Sequence, residues 1–153
     1  MPQGSSNRLE KNCMAKVVID ANVVISSVFG GLPLESISRA LLYHEVCYSE
    51  DIEKELRGVL QKLESKLQAR QIETLQRNLS KFFSFCKKIP VTESVTLCRD
   101  KKDNRYLSLC KQVKADFLIT GDKDLLTISK KALRDNHLIC NIVTPAEFVK
   151  REG

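Results

Sequence analysis

Short apolar runs alternate with longer amphipathic segments along the chain. Continuous apolar residues within 16–20, 45–48 and 117–120 are typical of strands that are buried on both faces of a sheet. A weaker strand is predicted at residues 89–91, and a last strand is predicted at residues 138–143. The pattern therefore predicts five short strands.

Apolar residues that recur at a spacing near 3.6 predict helices between these strands. The predicted helices cover residues 23–28, 33–42, 49–63, 67–86, 103–113 and 124–131, and a further helix follows Thr144. Ser49 is expected to cap the third helix, and Thr144 with Glu147 forms a capping box. Strands that alternate with helices predict an α/β fold in which a central parallel sheet carries helices on both faces.

The length of the chain, 153 residues, suits one domain. We expect that domain at residues 15–150, after a disordered tail at residues 1–14 and before a short tail at residues 151–153. No apolar run approaches the roughly 20 residues that a membrane-spanning helix needs, and the amino terminus lacks the apolar core of a signal peptide. We therefore predict a cytoplasmic protein with no membrane partner.

Two features of the composition narrow the chemistry. Six cysteines occur without a C-x-x-C pair and with only two histidines in the chain, so a zinc site is disfavoured and buried thiols are expected. The formal net charge is +6, which fits either a soluble surface or a polyanionic partner. The distribution of the basic residues therefore matters more than their excess.

Two carboxylates stand at the carboxyl ends of predicted strands. Asp20 ends the first strand, and Asp122 follows the 117–120 strand by two residues. Parallel strands bring these ends to one edge of the sheet, where ligands bind in such folds. Asp20 could instead cap the next helix, and Asp122 could be a turn residue. Taken singly, each acid fits a structural role as well as a functional one.

Asp103 lies on the apolar face of its predicted helix, because Tyr106, Leu107 and Cys110 are its neighbours at helical spacing. A buried aspartate usually has a partner or a metal. A functional role is therefore favoured over that of helix cap, for which Asp100 is the competing candidate.

The acids of the 49–63 helix are not distinguished by their spacing. Glu53 and Glu55 flank opposite edges of the apolar stripe on that helix, and acids in such positions commonly face solvent. Periodicity alone does not select either of them.

Four stretches of the chain, taken in order, resemble the motifs of a PIN domain. They are Val-Ile-Asp-Ala-Asn-Val at residues 18–23, residues 49–60 with Glu55-Leu56, Arg-Asp-Lys-Lys-Asp-Asn at residues 99–104, and Leu-Ile-Thr-Gly-Asp-Lys-Asp-Leu at residues 118–125. The similarity covers residues 16–150 and is closest to the PIN-family toxins of toxin–antitoxin pairs. It implies a three-layer α/β/α fold. Ala21 departs from the Thr that is common at its position.

The resemblance implies a metal-dependent endoribonuclease whose acids meet at one edge of the sheet. Carried over by position, the catalytic and metal-binding acids are Asp20, Glu55, Asp103 and Asp122. Supporting polar roles fall to Asn22, Thr120 and Asp124. Carboxylate ligands suit Mg²⁺ or Mn²⁺ as the cofactor. Basic residues around these acids are candidates to contact RNA phosphates: Arg99, Lys101, Lys102, Arg105 and Lys123.

The same resemblance implies an RNA substrate, a cognate antitoxin protein and a homodimer. A different class of function is a PIN-fold module that binds RNA or protein with little turnover. A third class is a phosphate-handling enzyme, but Asp20-Ala21-Asn22 lacks the second Asp of an aspartate-nucleophile phosphatase. No Gly-rich loop follows the first strand to cradle a phosphate.

Overall fold

Five short parallel strands form one sheet in the computed structural model, which describes residues 15–152. The order across the sheet is β3-β2-β1-β4-β5, and every neighbouring pair is parallel. The strands are β1 (Lys16–Ile19), β2 (Glu45–Tyr48), β3 (Lys87–Lys88), β4 (Phe117–Ile119) and β5 (Asn141–Val143).

Eight helices connect and follow these strands within the described residues. They are α1 (Ala21–Ser27), α2 (Gly31–Tyr43), α3 (Glu50–Glu64), α4 (Ala69–Phe85), α5 (Lys101–Val113), α6 (Lys123–Leu126), α7 (Lys130–Asp135) and α8 (Pro145–Glu152). The chain moves across the sheet in one direction from β1 to β3 and in the other from β4 to β5. Right-handed crossovers then place helices on both faces. The predicted three-layer α/β/α fold is confirmed.

The central strand β1 explains why the core lies along the middle of the sheet. Val17, Val18 and Ile19 are at most 2% exposed, because β2 and β4 flank β1 and helices cover both of its faces. Asp20 and Thr120 follow the last residues of β1 and β4, and both are buried. The sheet therefore ends in polar side chains that water barely reaches.

Two predicted helix starts are confirmed by their hydrogen bonds. The Ser49 hydroxyl accepts the backbone N–H of Ile52 at 3.3 Å. Thr144 Oγ1 accepts the N–H of Glu147 at 3.1 Å, and the Glu147 carboxylate accepts the N–H of Thr144 at 3.0 Å. The second exchange is a capping box that fixes the beginning of α8.

The strand predicted at residues 89–91 is wrong, and the pairing lies two residues earlier. Lys87 and Lys88 pair with β2, and Ile89 adds one more hydrogen bond from its N–H to the carbonyl of Tyr48. Pro90 has no N–H with which to continue the ladder. This edge strand is short and basic, which limits pairing with other chains.

The single helix predicted at residues 124–131 is two helices, α6 and α7. Ser129 interrupts the helical pattern because its hydroxyl caps α7 by accepting the N–H of Ala132 at 3.0 Å. The last strand is also shorter than the predicted 138–143. His137 has a φ of 61°, and the N–H of Leu138 still bonds to Leu133 of α7, so extended pairing starts only at Asn141.

Smaller differences concern boundaries. The first two helices begin two residues before the predicted 23 and 33. The predicted tail at residues 1–14 lies outside the described residues, whereas Arg151 and Glu152, assigned to the short carboxyl-terminal tail, belong to α8.

The five cysteines of the described region are free thiols. None of the helices within residues 15–152 combines the length and the apolarity required to cross a membrane.

A row of polar side chains on α5 holds the irregular segment that precedes it. Asn104 accepts the N–H of Cys98 at 2.7 Å and donates to its carbonyl at 2.8 Å. Ser108 accepts the N–H of Val95 at 2.9 Å. Gln112 Oε1 accepts the N–H groups of residues 92 and 93 at 2.8 and 2.9 Å. Residues 92–98 thus pair with side chains four residues apart on one helix face instead of with a strand.

We expect Asn104→Ala to lower the free energy of unfolding by about 1–3 kcal/mol, because it leaves both backbone groups of Cys98 without their partner. Asn78→Ala is the matched control, since Asn78 is an exposed asparagine within α4. Its effect should stay within about 0.5 kcal/mol. Urea denaturation measures both, and equal effects would contradict this role for Asn104.

Candidate active site

Asp20 connects the end of β1 to the beginning of α1. Its side chain is 3% exposed. Oδ1 accepts the N–H of Asn22 at 2.9 Å, which caps α1, and Oδ2 accepts the hydroxyl of Thr120 at 2.7 Å. The structural role that the sequence left open is thus real, and one carboxylate oxygen serves it while the other joins the neighbouring strand.

Thr120 passes this connection on to the next acid. Its hydroxyl donates to Asp20 and accepts the backbone N–H of Asp122 at 3.0 Å. Asp122 in turn caps α6 by accepting the N–H of Asp124 at 2.9 Å. The hydrogen-bonded chain fixes the loop after β4 against the end of β1, and Thr120 is its central member.

Three carboxylates come closest together at this edge of the sheet. One oxygen from each of Asp103, Asp122 and Asp124 lies within 4.8 Å of the others. Asp103 is buried, Asp122 is half-buried and Asp124 is exposed. Asp20 and Glu55, two of the four expected acids, lie outside this group of three. Asp100 is the cap of α5, which leaves Asp103 free of that structural role.

Asp103 has the properties of a cation ligand. Its Oδ2 is buried and has no hydrogen-bond partner in the described part of the chain. Burial, and then the Asp122 carboxyl beside it, raise the pKa of Asp103 to about 7. A cation held among Asp103, Asp122 and Asp124 would satisfy the unpaired oxygen and offset the repulsion. Oxygen donors of this kind suit Mg²⁺ or Mn²⁺, so the residues present fit the expected metal.

Contacts distinguish the two glutamates that spacing did not. Glu53 pairs with Arg57 at 2.7 Å and with Lys88 at 3.1 Å. Glu55 instead accepts the hydroxyl of Tyr106 at 3.1 Å. Burial raises the pKa of Glu55 above its ordinary value, and the charge of nearby Asp20 acts in the same direction. Glu55 therefore faces the site, whereas Glu53 belongs to a surface ion-pair network.

The sequence identified Tyr106 only as an apolar neighbour of Asp103, but its hydroxyl joins two parts of the site. The hydroxyl accepts the N–H of Ala21 at 2.9 Å and donates to Glu55. Burial raises the pKa of Tyr106 well above its ordinary value, so the hydroxyl stays protonated and keeps donating. The sequence signal for this role was a tyrosine on the same helix face as a buried aspartate. The apolar pattern alone did not indicate a role for its hydroxyl.

The basic residues predicted to contact RNA surround the acids without pairing to them. Arg99, Lys101, Lys102 and Lys123 are exposed, and none forms an ion pair with another described residue. Arg105 lies 4.0 Å from Asp51. The charges of Lys102 and Arg105 reach Glu55, where they lower its pKa. These cations are therefore available to an anionic ligand. Asn22, also exposed, lies beside Asp20 at the start of α1.

Comparisons with known proteins bear on the family and the fold. The model of the PIN domain family matches residues 16–124. The chain is 33% identical over 144 residues to the uncharacterized protein MJ1680 of Methanocaldococcus jannaschii, covering 88% of this chain and 90% of the relative. The crystal structure of PAE2754 from Pyrobaculum aerophilum superposes with a TM-score of 0.59 at 14% identity, over 90% of this chain and 88% of that one. The superposition shows a shared fold.

We expect Asp103→Asn to stabilise the metal-free protein more at pH 8 than at pH 5. Folded Asp103, with its pKa of about 7, binds a proton more tightly than the unfolded residue, whose pKa is about 4. The contribution of Asp103 to the free energy of unfolding therefore falls as the pH rises between those two pKa values. Asparagine does not titrate, so the variant avoids this loss. Melting temperatures in EDTA measure the effect. Asp135→Asn, on the exposed end of α7, should follow the wild type, and an identical gain at both pH values for Asp103→Asn would contradict the assignment.

We expect Tyr106→Phe to lower the free energy of unfolding by about 1–3 kcal/mol, because the N–H of Ala21 loses its acceptor while the ring still fills its place. The loss should be non-additive with Glu55→Gln in a urea double-mutant cycle, since the two side chains share a hydrogen bond. Tyr43→Phe is the control, because Tyr43 is 50% exposed on α2. Additive effects would show that Tyr106 and Glu55 act independently.

Proposed function

The chain belongs to the PIN domain family, and on that premise we propose that it is a metal-dependent endoribonuclease. One observation carries the proposal: the buried carboxyl of Asp103, whose Oδ2 has no hydrogen-bond partner among the described residues, stands against Asp122 and Asp124. This arrangement is unfavourable for stability, because an unpaired polar atom is buried among like charges. It suits a protein whose working state includes a cation.

Asp103, Asp122 and Asp124 are the residues that would hold Mg²⁺ or Mn²⁺, with Asp20 beside them. When bound, such an ion lowers the pKa of water and offsets the negative charge that grows on phosphate oxygens during hydrolysis. The hydrogen bonds of Asp20 to Thr120 and to the N–H of Asn22 fix the orientation of its carboxylate. The ligand set is thereby held in place before substrate arrives.

Glu55 is the group we assign to the attacking water. Burial raises its pKa, which makes it a stronger base than an exposed glutamate, and the hydroxyl of Tyr106 holds one of its oxygens at 3.1 Å. The other oxygen is then free to orient water toward the phosphate. Tyr106 acts here as a positioning residue, because its contacts in the structure are with Glu55 and Ala21.

RNA reaches this acidic centre through the basic residues around it. Arg99, Lys101, Lys102 and Lys123 are exposed and available for phosphates, and Arg105 needs only to leave a long contact with Asp51. Because these cations flank the carboxylates, they offset the repulsion that the acids would exert on a polyanion. Such binding weakens steeply with salt.

We further propose that this ribonuclease is the toxin of a toxin–antitoxin pair, forms a homodimer and is silenced by a small antitoxin. Exposed large apolar side chains support a protein partner, since Phe29, Leu42 and Phe85 are at least 70% exposed. Apolar surface of this kind can mark an interaction site. Free thiols at the described cysteines suit the reducing cytoplasm as the compartment.

The test is cleavage of labelled structured and single-stranded RNA by the purified protein in Mg²⁺, Mn²⁺ or EDTA. We expect metal-dependent cleavage, and we expect Asp20→Asn/Asp103→Asn to lower its rate at least about a hundredfold, which corresponds to about 2.7 kcal/mol of barrier. Asp135→Asn is the control, because it removes an exposed acid of the same type away from the site.

A wild-type protein that binds RNA but does not cut it in any of these ions would contradict the enzyme and favour a binding module. Equal cleavage by the wild type and the double variant would show that a contaminant or another site is responsible.

A further inference from the structure

A cleft of about 380 Å³ opens beside the acids, at the place where several helices begin. Asp20 and Asp122 form one side of it. Its remaining wall includes the apolar side chains of Val23, Pro33 and Pro145, which come from the starts of α1, α2 and α8. The cleft thus adjoins the proposed catalytic centre but presents a different chemistry to a ligand.

Two polar side chains on α1 also line the cleft and have hydrogen-bonding groups to spare. Asn22 and Ser26 are four residues apart, so they lie one above the other on the same helix face. Both are exposed. The N–H of Asn22 bonds to Asp20, but neither the Asn22 amide nor the Ser26 hydroxyl bonds to another side chain or backbone group among residues 15–152. Together they offer donors and acceptors in a short row.

Beyond its two acids, the described part of the cleft offers no charge that would hold a phosphate. Two carboxylates line it, and no Lys or Arg is among its described lining residues. The exposed cations lie on other elements, around Arg99 to Lys102 and at Lys123. The phosphates of an RNA strand would therefore lie toward those basic residues and the cation proposed at the acids. An uncharged part of the nucleotide would lie toward the cleft.

The size and the lining fit a single nucleobase. Small-molecule sites of about 300–1,000 Å³ combine apolar walls with a few placed polar groups, and this cleft lies near the lower end of that range. A planar uncharged ring gains from contact with Val23, Pro33 and Pro145. The edge of a base carries adjacent donors and acceptors that an amide and a hydroxyl can match.

We propose that the cleft binds the nucleobase next to the scissile phosphate and reads its edge through Asn22 and Ser26. This assignment rests on the proposed ribonuclease function and adds a basis for its sequence preference. A base that enters the cleft must leave its stack and its pairing partner. The enzyme would therefore select unpaired positions that carry one preferred base.

The test fills the cleft with Ser26→Leu and measures binding separately from cleavage. Binding of the four labelled RNA homotetranucleotides is measured by fluorescence anisotropy in Ca²⁺, a hard cation that carboxylates bind, and cleavage is mapped on an RNA with a randomised loop in Mn²⁺. We expect the wild type to prefer one base about tenfold and Ser26→Leu to lose that preference, since about tenfold corresponds to one hydrogen bond. The Mn²⁺-induced rise in melting temperature should be the same in both proteins.

Ser80→Leu is the matched control, because Ser80 is an exposed serine of α4 and does not line the cleft. It should keep the base preference. The proposal is overturned if the wild type cleaves RNA and Ser26→Leu retains the same preference, or if Ser80→Leu loses it equally. Base-selective binding that Ser26→Leu abolishes, without cleavage by the wild type, would support the cleft and contradict the ribonuclease.

Discussion

The hydrogen bond from Thr120 to Asp20 joins the ends of two neighbouring strands, and the arrangement of the site depends on it. The direction of the chain across the sheet reverses between β1 and β4, and a crevice forms between the carboxyl ends of strands at such a reversal. The hydrogen bond between Thr120 and Asp20, which is 2.7 Å long, joins the two strands at this point. The backbone N–H of Asp122 donates to the same hydroxyl. The positions of the Asp122 and Asp124 carboxylates therefore depend on this contact.

This support is needed because the acids oppose one another. Asp103 is held among like charges by the packing of α5, whose face carries Tyr106, Leu107 and Cys110 into the core. A site of this kind stores an unfavourable local interaction that the surrounding fold tolerates and a ligand can relieve.

The sequence was most informative where burial is strong and local. Uninterrupted apolar runs located β1, β2 and β4, and the caps at Ser49 and Thr144 follow from hydrogen bonds within one turn. It was least informative where the partner is distant along the chain. The pairing of Lys87, for example, depends on β2. The break in the helix at Ser129 is an exception, because its bond to Ala132 lies within one turn. The apolar face identified Asp103 and the PIN resemblance selected Glu55, but the contact of Glu55 with Tyr106 could not be predicted from spacing.

The number of residues between the two partners of each hydrogen bond indicates the order in which the molecule assembles. The bonds that tie residues 92–98 to α5 join groups at most 20 residues apart, whereas Tyr106 and Glu55 are 51 apart and Thr120 and Asp20 are 100 apart. Closing longer loops costs more chain entropy and contacts across them form more slowly. The segment before α5 can therefore take shape as a local unit, whereas Asp20 meets the other acids only when β4 has docked beside β1. The complete set of acids is thus assembled only once the core around β1 has formed.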